Sequence, residues 1–482
     1  MTEIIGVPLW LLLLLLVFAG WMALERVLVP SVRWFFRRKV NQAIDEMNRR
    51  LRIRVRPFKL NRRQILIDRL SYDPEVLEAA HRWAEDEGVP SGVAMDRVRH
   101  YAAEICPSFN AYMYFGIGNW IARRLVRLAY WIRVVYADKQ GFLDIDPRAS
   151  LVFVLNHRSN MDYLLASYMV VHHTALSYAV GEWARVWPLQ QLIRSMGAYF
   201  VRRGSSNDLY RKVLARYVQM AIEGGIIQAV FPEGGLSRDG RLRPPKLGLV
   251  DYMVRSFDPA GERDVVFVPV GINYDRVLED RTLLIEREQA PAKPKKWNAA
   301  RNSALFVINT LRLKIQNQWD RFGYAAVQFG SPLSLREYCR GRGLDFRQGD
   351  KDERFRKVTA LADDLMQAVG ELVPALAVPL LAQVLREGKR DFTDLELKAE
   401  VQHRLDTLAV TGRRHLIFDA ASSFALDKGI RMMVIRHMVL ERDGRYRANA
   451  DESTLIEYYA RSIDHLFDGA PVTGTSAENT AI

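Results

Sequence analysis

Short apolar runs separated by polar breaks fill the middle of the chain. The segments SLVFVLN (150–156), GIIQAVFPE (225–233) and DVVFVPVGINY (264–274) are mostly apolar and end in polar, Gly or Pro residues. Such runs are typical of strands buried on both faces, and RFGYAAVQFGSPLSL (321–335) predicts one further strand. Pro269 predicts that its strand lies at an edge or contains a bulge. Because helical segments separate the strands, the pattern predicts an α/β sheet.

Both flanking regions have a helical pattern. Asn119–Tyr136 is a continuous amphipathic segment in which arginines and tryptophans stand among aliphatic residues. It fits a helix at a membrane interface, and it fits equally a core helix whose arginines extend to solvent. From residue 336 onward the chain is also predicted to be helical. This part includes Leu372–Leu385, which is too short and too interrupted by proline to span a bilayer.

The N-terminus differs from the rest of the chain. Ile4–Leu24 is 21 residues long and carries no charge, which matches the roughly 20 residues needed to cross a bilayer core. No basic residue precedes it, so we interpret it as a retained anchor rather than a signal peptide. Between Arg26 and Arg63 there are thirteen basic residues and two acidic ones. By the positive-inside rule these basic residues place the bulk of the chain on the cytoplasmic side, next to anionic headgroups.

Together these patterns predict an α/β protein with a mixed sheet flanked by helices, an N-terminal membrane anchor, and helical regions on either side of the sheet. The predicted divisions are, in chain order, an anchor with its basic segment (1–45), a helical region (46–140), the α/β domain (141–335), a second helical region (336–467) and a disordered tail (468–482).

The composition narrows the partners of this protein. A net charge of +13 and a pI near 9.6 favour an anionic partner, which is nucleic acid, a membrane surface or a phosphorylated substrate. The anchor favours the membrane, and the sequence shows no basic and aromatic module of a nucleic-acid-binding protein. Cys106 and Cys339 are the two cysteines. They form neither a disulfide framework nor a zinc site, and they fit a reducing compartment.

A histidine and an aspartate follow the first predicted strand. His157 comes directly after SLVFVLN, and Asp162 lies five positions later. If the chain leaves the strand at Leu155 and enters a helix near Asn160, the turn folds the carboxylate back onto the ring. The aspartate then accepts from one ring nitrogen and leaves the other to accept a substrate proton. We expect this histidine at the solvent edge of the sheet. Taken alone, the spacing is weak evidence, because such pairs also occur by chance.

Two further segments concentrate groups suited to anions. GAYFVRR (197–203) ends in Arg202 and Arg203, a pair suited to bidentate phosphate binding. FPEGGLSRDGRL (231–242) is a Gly-rich loop that can bring backbone N–H groups and guanidinium groups close to an anion. The polar and Gly residues of this loop that we single out are Glu233, Gly234, Ser237, Arg238 and Arg241.

In order along the chain, these blocks resemble those of the glycerolipid acyltransferase family, and most closely the bacterial membrane-bound glycerol-3-phosphate acyltransferases. HRSNMDYLL corresponds to the family pattern HRSxMDYLL, and GAYFVRR corresponds to GAxFxRR. FPEGGLSRDGR corresponds to FxEGGRSRTGR, and VPVGINYD corresponds to the proline-centred strand of the fourth block. The resemblance extends over about residues 100–467. It implies an acyltransferase-type α/β domain.

The resemblance also implies a function. A fatty acyl group would pass from a thioester, either acyl-CoA or an acyl carrier protein, to the sn-1 hydroxyl of glycerol 3-phosphate. This reaction is the first step of phospholipid synthesis, at the bacterial inner membrane. The resemblance implies no metal and no bound cofactor. Backbone N–H groups of the Gly-rich blocks would stabilise the tetrahedral oxyanion. His157 would be the general base, oriented by Asp162. The other site residues implied are Glu233 as a catalytic group, and Arg158, Arg202, Arg203, Gly234, Ser237 and Arg238 as substrate-binding groups.

Departures from the family pattern leave rival functions open. The family has arginine where this chain has Leu236, and threonine where it has Asp239. The missing arginine is one that would help to hold the substrate phosphate. A first alternative is therefore acylation of 1-acylglycerol 3-phosphate, the next step of the same pathway. A second is a non-catalytic membrane scaffold with the same fold, which would lack one of His157, Asp162 or Glu233. All three are present.

Overall fold

The computed structural model describes residues 63–110, 113–170, 176–181, 189–202, 207–288, 321–387, 390–410 and 423–467. The predicted anchor, the basic segment up to residue 62 and the predicted tail (468–482) lie outside these ranges. Within these ranges, no helix is both long enough and apolar enough to cross a membrane.

Three helices open the described part of the chain: α1 (Arg63–Ser71), α2 (Pro74–Asp86) and α3 (Ser91–Ile105). The second shows why such a helix begins where it does. The Asp73 carboxylate accepts the Glu75 N–H at 3.1 Å, and proline at the first helical position lacks only an N–H that would have no helical partner. The buried apolar residues of all three helices belong to one cluster.

A mixed sheet of 8 strands forms the centre of the protein. Its strands are β1 (Trp131–Tyr136), β2 (Ser150–Leu155), β3 (Ser177–Val180), β4 (Tyr199–Phe200), β5 (Gln228–Val230), β6 (Val265–Tyr274), β7 (Tyr324–Phe329) and β8 (Leu333–Ser334). They lie in the order β1-β7-β6-β2-β5-β3-β4, and β8 also pairs with β6. β2 is parallel to both of its neighbours, whereas β6 and β7 are antiparallel. The predicted mixed α/β sheet is confirmed.

The prediction of one amphipathic helix over Asn119–Tyr136 is wrong for its second half. A π-helix, Met113–Gly118, leads into helix α4 (Asn119–Ala129), and the chain then becomes strand β1. Tyr130 ends the helix with an extended backbone, φ −135° and ψ 155°. The aromatic and β-branched residues that follow fit a strand once β7 is available as a parallel partner.

Pro269 lies in the middle of β6, and the prediction of an edge strand is wrong. β6 pairs with β2 along one side. Along the other side, Val266 and Phe267 pair with β8, while Val270–Tyr274 pairs with β7. Pro269 therefore falls in the gap between two partners, where the strand has no use for an N–H donor. Its carbonyl still accepts the Gly330 N–H at 2.9 Å.

Helices cover the sheet and complete its core. They are α5 (Lys139–Asp144), α6 (Met161–Val170), α7 (Leu189–Ser195), α8 (Asp208–Glu223), α9 (Leu247–Val254), α10 (Asp280–Glu288), α11 (Leu335–Arg342) and α12 (Lys351–Gly370). Val152 and Val154 of β2 share one apolar cluster with residues from α1–α3, α8, α9 and α12. One hydrophobic core thus links the N-terminal helices to the strand that precedes His157, and it fixes the position of that strand.

The C-terminal region contains helices α13 (Ala377–Glu387), α14 (Asp394–Val410), α15 (Ser423–Ile435) and α16 (Ser453–Arg461). Most of the described part of this region is helical, as predicted, but the prediction missed a small sheet. Strands β9 (Phe392–Thr393), β10 (Val439–Arg442) and β11 (Arg445–Ala448) form a small antiparallel sheet. β10 and β11 are joined by Asp443 and Gly444, both at positive φ, which is the turn that an Asp-Gly pair favours in a two-residue hairpin.

A buried carboxylate, Asp275, joins the sheet to the C-terminal region. It follows β6 and accepts the N–H of Tyr324 at 2.7 Å and that of Val378, in the first turn of α13, at 3.0 Å. Burial raises the pKa of Asp275 from 3.8 to about 6. The folded protein therefore holds this proton more tightly than the unfolded chain does, and the contribution of Asp275 to stability falls as the pH rises from about 4 to about 6.

We expect Asp275→Asn, which does not titrate, to lose less stability than wild type between pH 4 and pH 6.5. The difference in unfolding free energy between the two proteins should change by about 2 kcal/mol over this range, since one pKa unit is about 1.4 kcal/mol and the unfolded carboxyl is already partly ionised at pH 4. Thermal unfolding of both proteins at a series of pH values measures it. Two melting curves that stay parallel from pH 4 to pH 6.5 would contradict the prediction.

Candidate active site

The turn between β2 and α6 brings His157 and Asp162 together. β2 ends at Leu155, helix α6 begins at Met161, and Nδ1 of His157 lies 2.9 Å from Oδ2 of Asp162. This is the local geometry expected from the spacing. The expectation of a solvent-edge histidine is wrong, because His157 is only 1% exposed and Asp162 is fully buried. The pair lies in a low-dielectric site, where hydrogen bonds to charged groups are stronger than in water.

The Asp162 carboxylate organises the whole turn. Its Oδ2 also accepts the backbone N–H of Arg158 at 2.7 Å and that of Ser159 at 3.0 Å. Its Oδ1 accepts the Tyr274 hydroxyl at 2.5 Å. A carboxylate that serves these donors acts as an acceptor only, so Nδ1 of His157 carries the ring hydrogen. Nε2 is therefore the ring nitrogen that accepts a proton.

Tyr274 is a further member of the site, at the end of the strand segment DVVFVPVGINY. It is the last residue of β6, and its side chain is buried. Burial, followed by the charge of Asp162, raises the pKa of the Tyr274 hydroxyl well above its ordinary value. The hydroxyl therefore remains a neutral donor to Asp162 at any physiological pH, and it fixes the carboxylate from the side opposite His157.

Aromatic rings hold the His157 imidazole from two directions. The Phe231 ring is 4.3 Å away between centroids, and the Tyr163 ring contacts the imidazole edge-on at 5.3 Å. The Tyr163 hydroxyl lies 3.4 Å from Nε2. These contacts restrict rotation of the imidazole, so Nε2 keeps one direction relative to the turn.

Glu233 joins the Gly-rich loop to the end of β2. Its Oε1 accepts the His157 N–H at 2.8 Å, and its Oε2 accepts the Arg243 N–H at 3.1 Å. The Ser237 N–H in turn donates to the His157 carbonyl at 3.0 Å. Burial raises the pKa of Glu233 to about 7. Each carboxylate oxygen of Glu233 accepts a backbone N–H. The carboxylate therefore fixes the position of the His157 backbone.

Arg158 was predicted to bind substrate, but its guanidinium group is bound by the protein. Arg158 is 1% exposed. One terminal nitrogen donates to the carbonyl of Gly240, and the other donates to the carbonyl of Ser462 at 3.0 Å. These contacts argue against the predicted substrate contact. They join the turn between β2 and α6 both to the Gly-rich loop and to the end of helix α16.

Arg202, another predicted phosphate ligand, forms a bidentate ion pair. Its Nε lies 2.8 Å from Oε1 of Glu104, and its Nη2 lies 2.5 Å from Oε2. The guanidinium also lies over the rings of Tyr101 and Tyr210. Hydrogen bonding to Glu104 raises the pKa of Arg202 further above its ordinary value. These contacts attach helix α3 to the sheet. Arg203 lies outside the described residues.

The remaining predicted site residues lie on the Gly-rich loop. Gly234 has φ +64°, and a Cβ at this position would meet the Lys246 side chain at 2.6 Å, so the loop requires glycine here. Ser237 is buried, and its hydroxyl donates to the Arg241 carbonyl at 2.6 Å. Arg238 is exposed on the loop surface. The loop thus positions Arg238, whereas Ser237 supports the loop itself.

A second set of buried contacts, which sequence reasoning missed, connects the turn between β2 and α6 to the C-terminal region. Glu279 accepts the Ser159 hydroxyl at 2.7 Å and the N–H of the following residue at 3.2 Å. The neighbouring Asp280 pairs with Arg436 at 2.7 Å and accepts the hydroxyl of Tyr459. Because these partners lie more than a hundred positions from the turn, no local pattern in the sequence indicates them.

Two family models match separate parts of the chain, and both describe acyltransferases. Residues 139–273 match the acyltransferase family. Residues 311–468 match the glycerol-3-phosphate acyltransferase C-terminal region. The resemblance stated from the four sequence blocks is thereby confirmed: the chain combines an acyltransferase domain with the C-terminal region of glycerol-3-phosphate acyltransferases.

Relatives of this chain are named glycerol-3-phosphate acyltransferase. The glycerol-3-phosphate acyltransferase of Pseudomonas syringae pv. syringae is 27% identical over 434 residues, which cover 85% of this chain and 49% of the relative. That of Aeromonas hydrophila is 28% identical over 424 residues, with 85% and 50% covered. The chain thus spans about half the length of these relatives.

Among solved structures, the 1-acyl-sn-glycerophosphate acyltransferase of Thermotoga maritima is 16% identical. The match has a TM-score of 0.28 and covers 52% of this chain and 79% of that one. A TM-score this low does not establish a shared fold.

Proposed function

We propose that this protein transfers a fatty acyl group from a thioester to the sn-1 hydroxyl of glycerol 3-phosphate, the first step of phospholipid synthesis. The observation that carries the proposal is the buried His157–Asp162 pair, in which Nδ1 binds Asp162 and Nε2 is the nitrogen that can accept a proton. The match of residues 311–468 to the C-terminal region of glycerol-3-phosphate acyltransferases supports the choice of acceptor.

The reaction follows from this geometry. Nε2 of His157 removes the proton of the acceptor hydroxyl while its oxygen attacks the thioester carbonyl carbon. Asp162 stabilises the imidazolium that forms, and general-base assistance of this kind typically contributes 10²–10⁴-fold. The tetrahedral intermediate then expels the thiolate, which takes the proton from Nε2. These steps use side chains alone, and the acyl-CoA or acyl carrier protein is a co-substrate.

Two arginines remain as ligands of the substrate phosphate in this proposal. Arg238 is exposed on the Gly-rich loop, and Arg203 directly follows the ion-paired Arg202 in the sequence. A guanidinium binds phosphate through two parallel hydrogen bonds. Leu236 stands where the family has a third arginine, which predicts modest affinity for glycerol 3-phosphate.

The proposed place of action is the cytoplasmic face of the bacterial inner membrane. The support is in the sequence: the uncharged segment Ile4–Leu24 and the thirteen basic residues between Arg26 and Arg63. Anionic lipid headgroups attract each basic residue near the surface by about 1 kcal/mol. The acyl product would then leave directly into the bilayer.

An acceptor assay tests the proposed function. Purified full-length protein receives labelled acyl-CoA or acyl carrier protein, with either glycerol 3-phosphate or its 1-acyl derivative as acceptor. Label in 1-acylglycerol 3-phosphate supports the proposal. Label only with the 1-acyl acceptor would assign the protein to the next step of the pathway. Absence of transfer with both acceptors and both donors would leave the scaffold interpretation.

Leu236→Arg tests which acceptor the loop is built for. A restored charge-assisted contact contributes roughly 1.5–3 kcal/mol, so we expect KM for glycerol 3-phosphate to fall about tenfold or more. The maximal rate should change little, as expected of a contact made equally in ground and transition states. Steady-state kinetics with Leu236→Met as the uncharged control measures this effect. If Leu236→Arg is inactive and wild type prefers the 1-acyl acceptor, Leu236 belongs to a wall that binds a lipid tail.

A further inference from the structure

We propose that Tyr163 is a catalytic residue whose hydroxyl stabilises the oxyanion formed on the thioester carbonyl. This inference rests on the proposed acyl transfer and adds a hydrogen-bond donor to it. Tyr163 is the third residue of helix α6, directly after Asp162. Its hydroxyl lies 3.4 Å from Nε2 of His157, the nitrogen at which the substrate hydroxyl loses its proton.

The ring of Tyr163 is held in place by packing. It is 8% exposed, and it contacts the imidazole of His157 edge-on at 5.3 Å and the ring of Phe231 at 5.0 Å. The ring of Tyr178 lies 5.4 Å away on a further side. A donor fixed in this way needs little reorganisation as charge develops, and preorganisation is what makes an oxyanion donor effective.

The backbone N–H groups of the turn between β2 and α6, which is the catalytic turn of the proposed mechanism, already donate to other groups. The N–H groups of residues 157–162 donate in order to Glu233, to Asp162 twice, to Glu279, and twice to Ser159. In the Gly-rich loop, the N–H of Gly234 donates to Phe231 and that of Ser237 donates to His157. The sequence-based expectation that this loop supplies the oxyanion donors therefore fails for these two groups. The Tyr163 hydroxyl is a side-chain donor that lies beside the reacting nitrogen.

In the proposed step, the acceptor proton passes through Nε2 of His157 to the leaving thiolate. In the substrate-free site the Tyr163 hydroxyl donates to Nε2 of His157. The acceptor hydroxyl then takes this place and gives its proton to Nε2, while its oxygen forms a bond to the thioester carbonyl carbon. The carbonyl π electrons move to oxygen, and the Tyr163 O–H donates to that oxyanion. When the C–S bond breaks, the carbonyl re-forms, the thiolate takes the proton from Nε2, and Tyr163 keeps its own proton throughout.

Tyr163→Phe tests this role, because it removes one oxygen and keeps the ring contacts. Loss of an oxyanion donor typically costs 10²–10³ in kcat, and we expect a loss of this size with KM for both substrates within about threefold. An interaction made only in the transition state lowers kcat and kcat/KM together. The matched control is Tyr130→Phe, a buried tyrosine whose hydroxyl donates to the Arg276 carbonyl at 2.7 Å. It should keep kcat within about threefold of wild type.

A second variant keeps the test decisive if Tyr163→Phe folds poorly. Site-specific 3,5-difluorotyrosine keeps the ring and the hydroxyl, but this hydroxyl loses its proton at lower pH than that of tyrosine. We expect the alkaline decline of kcat to move to lower pH. A kcat of Tyr163→Phe within threefold of wild type, a change confined to KM, or an unmoved pH profile of the fluorinated protein overturns the role of Tyr163 alone. Wild type that acylates neither acceptor overturns the proposed function and this step with it.

Discussion

Replacing His157 with asparagine is expected to lower kcat for acyl transfer by 10²–10⁴, the range that general-base assistance contributes. Asparagine is the sharper choice than alanine, because its amide nitrogen occupies the place of Nδ1 and donates to Asp162. It offers no group at the position of Nε2. The variant therefore keeps the hydrogen bond that organises the turn, and it loses only the base.

Both His157→Asn and His157→Ala are measured by release of labelled acyl product, with thermal unfolding recorded in parallel. Because the ring packs on Phe231 at 4.3 Å, alanine leaves a cavity and should lower the melting temperature, whereas asparagine should lower it less. A folded His157→Asn protein that keeps more than about a tenth of the wild-type rate would exclude His157 as the base.

Asp162→Asn is expected to be of similar severity, for two separate reasons. An amide cannot stabilise the imidazolium, and in the Ser-His-Asp template the same exchange lowers kcat about 10⁴-fold. The NH₂ group of the asparagine would also face a hydrogen-bond donor. Depending on its orientation, this donor is either the N–H groups of Arg158 and Ser159 or the hydroxyl of Tyr274, all of which now donate to Asp162. A buried donor left without an acceptor costs about 1–3 kcal/mol, so the variant should also be less stable than wild type.

A matched control separates the two effects. Asp275→Asn also replaces a buried carboxylate that accepts two backbone N–H groups, but Asp275 contacts neither His157 nor Asp162 through these bonds. We expect it to lose stability while keeping kcat within about threefold of wild type. If Asp162→Asn shows the same pattern, with a lower melting temperature and a near-normal kcat, Asp162 has no part in the chemistry.

What could be predicted from the sequence depended on distance along the chain. His157 and Asp162 are five positions apart, and one strand end and one helix start are enough to bring them together. Tyr274 binds Asp162 from 112 positions away, and Arg158 reaches Ser462 over 304. Such contacts depend on how the sheet and the C-terminal region assemble, which no local pattern encodes. For this reason Arg158 appeared to be free for substrate.

Other predictions of secondary structure failed because of local features of the sequence. Strand β1 has a helical period on its N-terminal side, and only pairing with β7 makes its β-branched residues a strand. The β10–β11 hairpin is different, because Asp443-Gly444 is itself a hairpin signal that the sequence contains, although the flanking segments VLER and RYRA are half charged. The Asp443-Gly444 turn therefore indicates the small sheet, which helical periodicity alone does not.

The contact between Arg158 and Ser462 has a consequence for how the protein matures. The catalytic turn is translated early, but the carbonyl that Arg158 needs is added 304 residues later. Until then, the guanidinium has one fewer acceptor, and a buried charge without its partners is strongly disfavoured. A nascent chain stalled on the ribosome before helix α16 should therefore hold a folded sheet and an unformed catalytic turn. Acyl transfer would begin only after that helix has emerged and docked, when the Gly-rich loop that Arg158 also contacts is in place.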